Sequence, residues 1–176
     1  IEGFKQKFRE HQEKSRTASS GMFKGGLSGN SEIETKYHTA THLLNAALKL
    51  VVNKDVHQKG SNITSERMRF DFSCDHKLTI EEKQKVEELV NQWIKEEMPV
   101  TVEEMKKEDA IKSGAECMFI EKYPDLVTVY KIGDVSAELC GGPHVENTSE
   151  IPHIKIKKEE AVSTGVRRIK AVFVEQ

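Results

Sequence analysis

The sequence has few cysteines and no long apolar run, and both scarcities restrict the classes of protein to which it can belong. Its 176 residues include three cysteines, Cys74, Cys117 and Cys140. An odd number at wide spacings does not suggest a disulfide framework, which favours a reducing compartment and predicts a cytoplasmic location. No apolar stretch approaches the roughly 18 to 20 residues that a membrane-spanning helix needs, and no signal-peptide pattern opens the chain. We therefore expect no membrane partner.

An excess of either charge is also absent. Lysine and arginine number 27, aspartate and glutamate number 29, and the formal net charge is -2. A surface that binds phosphate everywhere would be basic, so any contact with nucleic acid must come from a local patch. The 36% of hydrophobic residues predicts a folded domain with a buried core. The first residue is Ile1 rather than methionine, within a charged helical pattern, which predicts a piece of a longer protein.

The order of helical and alternating patterns predicts an α+β fold, with packed helices on a largely antiparallel sheet. Phe4 and Phe8 have helical spacing among charged neighbours and predict an exposed connector helix over residues 1–19. The glycine-rich "SGMFKGGLSGN" that follows predicts a linker. We therefore divide the chain into a connector and linker at 1–35 and one domain at 36–176.

Within that domain the patterns predict two main helices and several strands. A helix over 35–52 should bury Leu43, Ala46, Ala47 and Leu50, and a helix over 78–98 should begin at a capping box of Thr79 and Glu82. "KKEDAIKSG" predicts a short helix that ends at Gly114. Strands are predicted in two segments of 55–73 and in "VTVEEM", "LVTVYKI", "VSAELC", "HIKIKK" and "GVRRIKAVFV".

Two pairs of residues have the spacing of metal ligands. His38 and His42 in "HTATH" lie one turn apart and continue the inward face of the first predicted helix. Cys140 and His144 in "ELCGGPHV" flank a turn that can direct both side chains to one point. Three imidazoles and one thiolate are ligands that zinc prefers. A core pair of histidines and a zinc site are both compatible with these spacings alone.

The motifs that are missing restrict the chemistry of such a site. Thr39 stands where the glutamate of an HExxH motif would be, which disfavours a zincin-type protease. The sequence also lacks a GxSxG elbow and a Walker-type phosphate loop. An activated ester would suit the site better, because its hydrolysis mainly needs positioning and an oriented water molecule.

Five motifs together resemble a known family. "HTATHLL", "VHQKGSNIT", "RMRFDFS", "ELCGGPHVENTSEI" and "STGVRRIKAV" occur in this order across residues 36–174. They resemble the editing domain of alanyl-tRNA synthetases and the related AlaX trans-editing proteins. "FKQKFREHQEKSRTAS" resembles the helical segment that precedes editing in the full synthetase, which favours a fragment of the synthetase. The glycine-containing β-barrel that precedes the zinc histidines in many of these enzymes is absent from the sequence.

The resemblance implies a role for individual residues. His38, His42, Cys140 and His144 match the zinc ligands, and Gln58 matches a glutamine of the editing pocket, which we predict to act in catalysis. Cys74 and Cys117 match no ligand position. The substrate-binding candidates are Thr39, Thr41, Ser61, Arg69, Asp71, Gly165, Arg167 and Arg168. Surface or structural roles remain open for the serine, the aspartate and the three arginines among them.

The resemblance also implies a function, which is hydrolysis of the ester in mischarged tRNA(Ala). The partner would be the acceptor end of tRNA(Ala) carrying serine or glycine, next to the rest of the synthetase chain. Four protein ligands would make zinc structural, with contact to water or substrate only where one ligand is loose. Two alternatives stay open: a threonyl-type editing domain, which shares both ligand pairs, and a zinc-ordered tRNA-binding module without catalysis. Aminoacylation is not expected, since the motifs of the synthetic site are absent.

Overall fold

The computed structural model describes residues 26–29, 31–118 and 122–175. The predicted connector helix and most of the predicted linker fall outside these residues. Among the helices of the described chain, none combines the length and the apolar composition needed to cross a membrane.

The described chain contains the helices and strands of an α+β fold, as predicted. The helices are α1 (Glu32–Val51), α2 (Ile80–Lys95), α3 (Lys107–Lys112) and a 3-10 turn at Thr148–Glu150. The strands are β1 (Gln58–Ile63), β2 (Met68–Ser73), β3 (Val100–Lys106), β4 (Leu126–Ile132), β5 (Ser136–Leu139), β6 (His153–Ser163) and β7 (Val166–Val174).

The strands form two antiparallel sheets. The larger has the order β1-β2-β7-β6, and the smaller has the order β3-β4-β5. The predicted antiparallel pairing is therefore confirmed, although the strands divide between two sheets. In the larger sheet the register sets Asp71 of β2 opposite Arg168 of β7. The turn before β7 contains Gly165 at a φ of 76°, a conformation that favours glycine.

Helix α1 begins three residues before its predicted start, because Ser31 is a good N-cap. The Ser31 side chain accepts a hydrogen bond from the Glu34 backbone N–H, as N-cap residues do. Leu43 and Ala47 are fully buried, as predicted. The prediction for Leu50 is wrong, since this side chain is 71% exposed. Burial on α1 ends at Leu48, so the last turn extends beyond the elements that cover the rest of the helix.

Helix α2 has the predicted capping box. The Thr79 side chain accepts from the Glu82 backbone, and the Glu82 side chain accepts from the Thr79 backbone. Its buried stripe packs on β6, where Asn91 Nδ2 donates to the Ile154 carbonyl and Asn91 Oδ1 accepts from the Ile154 N–H. These bonds fix α2 against the edge strand of the larger sheet.

The core lies between the two long helices and the larger sheet, and a second apolar cluster lies beside the smaller sheet. Phe70, Phe72 and Leu44 are fully buried in the main core. The second cluster contains Tyr123, Val129 and other buried residues. Helix α1 contacts β5 of the smaller sheet as well as β1 and β2 of the larger one. The inner face of α1 therefore meets the chain that leaves β5.

Candidate metal centre and its pocket

The structure brings both predicted ligand pairs to one point. His38 and His42 extend from the buried face of α1, and Cys140 and His144 extend from the loop that follows β5. One potential ligand atom from each of the four residues lies within 4.8 Å of the other three. His38 Nε2 and Cys140 Sγ are 3.4 Å apart. The arrangement could therefore hold a metal ion.

A tight turn between Cys140 and His144 makes this convergence possible. Gly142 has a φ of 73°, and a Cβ atom at this position would lie 2.7 Å from the Tyr130 hydroxyl oxygen. A side chain at position 142 would therefore be strained and would collide with a ring of β4. The Gly142 N–H also points at Cys140 Sγ, at 3.4 Å, which suits a thiolate.

The Nδ1 atoms of two histidines form hydrogen bonds within the protein. His38 Nδ1 lies 2.7 Å from the Pro143 carbonyl oxygen, to which it can only donate. His144 Nδ1 lies 2.9 Å from Thr39 Oγ1. With the proton on Nδ1 in both rings, each Nε2 keeps a lone pair for the centre. Among the described residues the buried His144 Nε2 has no hydrogen-bond partner, which fits an atom that awaits a ligand.

Thr39 holds His144 in this orientation. Its hydroxyl oxygen accepts from the Val145 N–H at 3.1 Å and can donate to the Thr35 carbonyl at 3.3 Å. It can then accept the Nδ1 proton of His144 as well, so the Thr39 hydroxyl has one donor bond and two acceptor bonds. Thr39 is fully buried behind His144.

His42 is oriented by a buried carboxylate. Its Nδ1 lies 2.7 Å from Glu138 Oε2, which is within the distance of an ion pair. The angle between these groups lies outside the range of a regular hydrogen bond. The other oxygen, Oε1, accepts from Asn45 Nδ2 at 2.7 Å. Such carboxylate–histidine contacts orient metal-binding imidazoles in proteins. Glu138 and Asn45 therefore leave Nε2 of His42 for the centre.

The pKa values of the cluster residues decide which of them are in a metal-binding form. Burial would raise the pKa of the Cys140 thiol, but the charges of His38 and His42 outweigh burial and lower it to about 6. Burial likewise acts to lower the pKa of His42, but Glu138 outweighs it and raises that pKa to about 10. Burial and the neighbouring His38 and His42 hold the pKa of His144 well below its usual range. The Cys140 thiolate and the neutral His144 imidazole, the forms that bind metals, are thus available near neutral pH, and His42 would release a proton on binding a metal ion.

A pocket opens beside the cluster. Its cavity is about 30 Å³, which is the space of roughly one water molecule. The lining residues are His38, Thr41, His42, His57, Gln58, Glu116, Cys117, Met118, Tyr123, Glu138, Leu139 and Cys140. The predicted catalytic candidate Gln58 is therefore at the pocket, beside three of the four cluster residues.

The predicted substrate-binding hydroxyls occupy different positions. Thr41 lines the pocket, but its Oγ1 donates to the His38 carbonyl oxygen at 2.7 Å. Ser61 does not line it, and its Oγ accepts from Gln58 Nε2 at 3.1 Å. With Thr39 behind His144, one of the three predicted hydroxyls lies at the cavity wall.

The charged candidates on the larger sheet pair with oppositely charged residues of the same sheet. Arg168 donates to both carboxylate oxygens of Asp71, at 2.8 and 3.0 Å. Arg69 Nε lies 3.9 Å from Asp71, and Arg167 forms an ion pair with Glu159. None of these side chains lines the metal pocket within the described chain.

Gly165 borders a separate cavity, next to Asn53, Cys74 and other residues. A Cβ atom added at Gly165 would meet no heavy atom within 4 Å among the described residues. The structure therefore does not bring Gly165 to the metal pocket.

Three residues of the centre were not predicted from the sequence. Glu138 lies two positions before Cys140 in the same motif, and strand alternation could have placed both on one face. Asn45 lies three residues after His42, on the same face of the helix. Tyr123 has no such signal, because its place at the pocket depends on the packing of the second apolar cluster.

Nearly the whole chain is similar to known proteins. Residues 127–170 match the model of the threonyl and alanyl tRNA synthetase second additional domain. The chain is 57% identical over 172 residues to an alanine-tRNA ligase of Treponema denticola and 50% identical over 173 residues to that of Borrelia hermsii. Each match covers 98% of this chain and 29% of the relative. An alanine-tRNA ligase of Thermotoga petrophila is 51% identical over 141 residues, or 80% of this chain and 16% of the relative.

Proposed function

We propose that this chain edits mischarged tRNA(Ala), because residues 127–170 match the model of the threonyl and alanyl tRNA synthetase second additional domain. The reaction is hydrolysis of the ester that joins serine or glycine to the terminal ribose. Water adds to the ester carbonyl, the bond from the carbonyl carbon to the ribose oxygen breaks, and that oxygen takes a proton from the water to become a hydroxyl as the amino acid leaves. The partners are the acceptor end of tRNA(Ala) and the rest of an alanine-tRNA ligase chain.

The observation that carries this proposal is the buried cluster of His38, His42, Cys140 and His144 at the wall of a small pocket. A cavity of this size cannot enclose a nucleotide, but it suits a small side chain such as that of serine. Gln58 at the same pocket offers an amide that can orient the ester or a water molecule. The assignment to alanyl rather than threonyl editing is supported by the relatives, which are alanine-tRNA ligases.

The need for such a site follows from the energetics of discrimination. A synthetic site shaped for alanine cannot exclude the smaller glycine, and an apolar pocket rejects an added hydroxyl by a factor of only about 100. A second pocket that hydrolyses serine and glycine esters corrects both errors. It must leave correct alanine esters intact, which requires a polar group that the alanine methyl cannot satisfy.

We assign zinc to the cluster, because one thiolate and three imidazoles are ligands that it prefers. A zinc ion bound by four side chains supplies order to the pocket, as structural zinc does. His38 and His42 then keep α1 fixed against the loop after β5, while Thr39, Pro143 and Glu138 hold the imidazoles from outside. The chain's own groups at the pocket wall orient ester and water.

A deacylation assay with mischarged tRNA(Ala) tests this function. The isolated chain should release serine from seryl-tRNA(Ala), and pretreatment with a chelator should abolish the release. Adding zinc back should restore it. Failure of the untreated, zinc-loaded chain to release serine would contradict the proposal and favour a tRNA-binding module without catalysis.

The same assay separates the two editing types. Seryl-tRNA(Thr) replaces seryl-tRNA(Ala) as the substrate at equal concentration. An alanyl-type domain should prefer tRNA(Ala), whereas a clear preference for tRNA(Thr) would favour threonyl-type editing.

A further inference from the structure

The hydroxyl groups that were predicted from the sequence to recognise serine all have hydrogen-bond partners within the protein. Thr41 donates its proton to the His38 carbonyl oxygen at 2.7 Å. Thr39 is fully buried and holds His144, and Ser61 pairs with Gln58 away from the cavity wall. A hydroxyl that is engaged in this way can bind a substrate only at the cost of an existing bond.

Tyr123 differs from these residues. It lines the pocket with His38, His42 and Cys140. Tyr123 is only 5% exposed. Its Oη atom is buried and, within the described chain, has no partner of full hydrogen-bond geometry. The Cys117 thiol forms a side-chain hydrogen bond with the phenol outside that geometry, but sulphur is a weak partner. A buried hydroxyl without a good partner is unfavourable in a native protein and indicates a ligand position.

The protonation state of Tyr123 suits a hydrogen-bond donor. Burial, which is the largest effect, raises the pKa of Tyr123, and the neighbouring Cys117 raises it further. The phenol therefore keeps its proton at neutral pH. A neutral phenol can donate to one oxygen atom and accept from another, as a serine hydroxyl also can.

We propose that Tyr123 is a specificity-determining residue whose hydroxyl binds the side-chain hydroxyl of a serine ester in the pocket beside His38, His42 and Cys140. The inference rests on the proposed editing function. With an alanine ester the methyl group covers Tyr123 Oη and leaves it with only the weak Cys117 partner. With a glycine ester the space of about 30 Å³ can admit a water molecule to bind the phenol instead. The order of release is therefore serine, then glycine, then alanine.

The variant Tyr123→Phe tests this directly, because it removes one oxygen atom and keeps the ring. Release rates from seryl-, glycyl- and alanyl-tRNA(Ala) are measured side by side for the parent and the variant. We expect the ratio of serine to alanine release to fall about tenfold, which corresponds to about 1.4 kcal/mol. The glycine rate should change less than the serine rate.

Tyr37→Phe is the matched control, since it removes the same atom from another buried tyrosine. Tyr37 Oη accepts from the Phe173 N–H at 3.0 Å and donates to the Glu66 carbonyl at 3.2 Å. Tyr37 does not line the pocket. The control should lower the melting temperature and leave the serine-to-alanine ratio unchanged.

The outcomes distinguish this inference from the editing function itself. A parent that releases serine, together with an unchanged ratio in a folded Tyr123→Phe protein, would overturn the role of Tyr123 alone. A parent that releases no serine would overturn the editing function and this inference with it.

A second measurement does not depend on the folding of the variant. Tyrosine ring signals of the parent are followed by NMR while non-hydrolysable amide analogues of seryl- and alanyl-adenosine are added. The Tyr123 signal should shift more with the serine analogue than with the alanine analogue. Equal shifts with both analogues would overturn the proposal.

Discussion

Each histidine of the centre uses one ring nitrogen for the protein and leaves the other for the cluster. His38 donates to a carbonyl, His144 to a threonine hydroxyl, and His42 faces a carboxylate. These outer contacts fix the tautomer and orientation of three rings before any ligand binds. The centre is thus preorganised, which lowers the entropy that a metal ion would have to offset on binding.

Cys140→Ser tests the ligand set. Serine keeps a polar side chain but replaces a soft thiolate by a poor zinc ligand, so bound zinc should fall to a small fraction of the parent's. Elemental analysis of the purified variant measures this. Cys117→Ser makes the same exchange at a residue outside every candidate ligand group of the described chain and should leave the zinc content unchanged. Equal zinc in the parent and in Cys140→Ser would remove Cys140 from the ligands.

Glu138→Gln tests the outer contact of His42. The amide keeps the shape but loses the charge that faces Nδ1, so zinc affinity should fall by about 10- to 100-fold. Competition with a chromophoric chelator gives the affinity. Glu160→Gln is the control, because Glu160 pairs with Lys158 on the larger sheet and is remote from the cluster. An affinity equal to the parent's would mean that Glu138 does not orient His42.

The centre depends on two elements that lie far apart in the sequence. Helix α1 supplies His38 and His42 from its buried face, and the loop after β5 supplies Cys140 and His144 through a turn that requires Gly142. The spacing within each pair is visible in the sequence, because a helical turn and a tight loop are local structures. The meeting of the two pairs is a property of the fold.

Strands β2 and β7 carry another pairing that local patterns could not reveal. Asp71 and Arg168 lie opposite each other in the sheet and form a bidentate ion pair. Their alternation with hydrophobic neighbours predicts which face they occupy, but the partner of each charge depends on the strand order. The sequence therefore leaves open whether Arg168 binds tRNA or stabilises the sheet.

Arg168→Ala decides between these roles. Removing the guanidinium leaves the mostly buried Asp71 without its two-bonded partner, which should cost about 1 to 3 kcal/mol of unfolding free energy. The Michaelis constant for tRNA should change little. Denaturant unfolding and deacylation kinetics measure both quantities, and the double variant with Asp71→Asn should recover part of the loss. A raised Michaelis constant with unchanged stability would instead assign Arg168 to tRNA contact.

For the molecule as a whole, the α+β class, the antiparallel pairing and the capped helix α2 were predictable from periodicity and capping residues. The exposure of Leu50 was not, because helical periodicity gives the face of a residue but not where the covering elements end. The four cluster residues could be nominated from their spacing and from the family resemblance. Tyr123 could not, since its role arises from packing between distant segments. Strand alternation could place Glu138 on the face of Cys140, but its contact with His42 depends on the fold.

The central claim is that this chain distinguishes a serine ester from an alanine ester by a polar group and not by size. The most direct measurement is the release of serine and of alanine from tRNA(Ala) by the zinc-loaded chain at equal concentrations. An unmet hydrogen bond worth about 1 to 3 kcal/mol predicts serine release roughly 5 to 150 times faster, although alanine is the smaller side chain. Equal rates for the two esters would contradict the editing function.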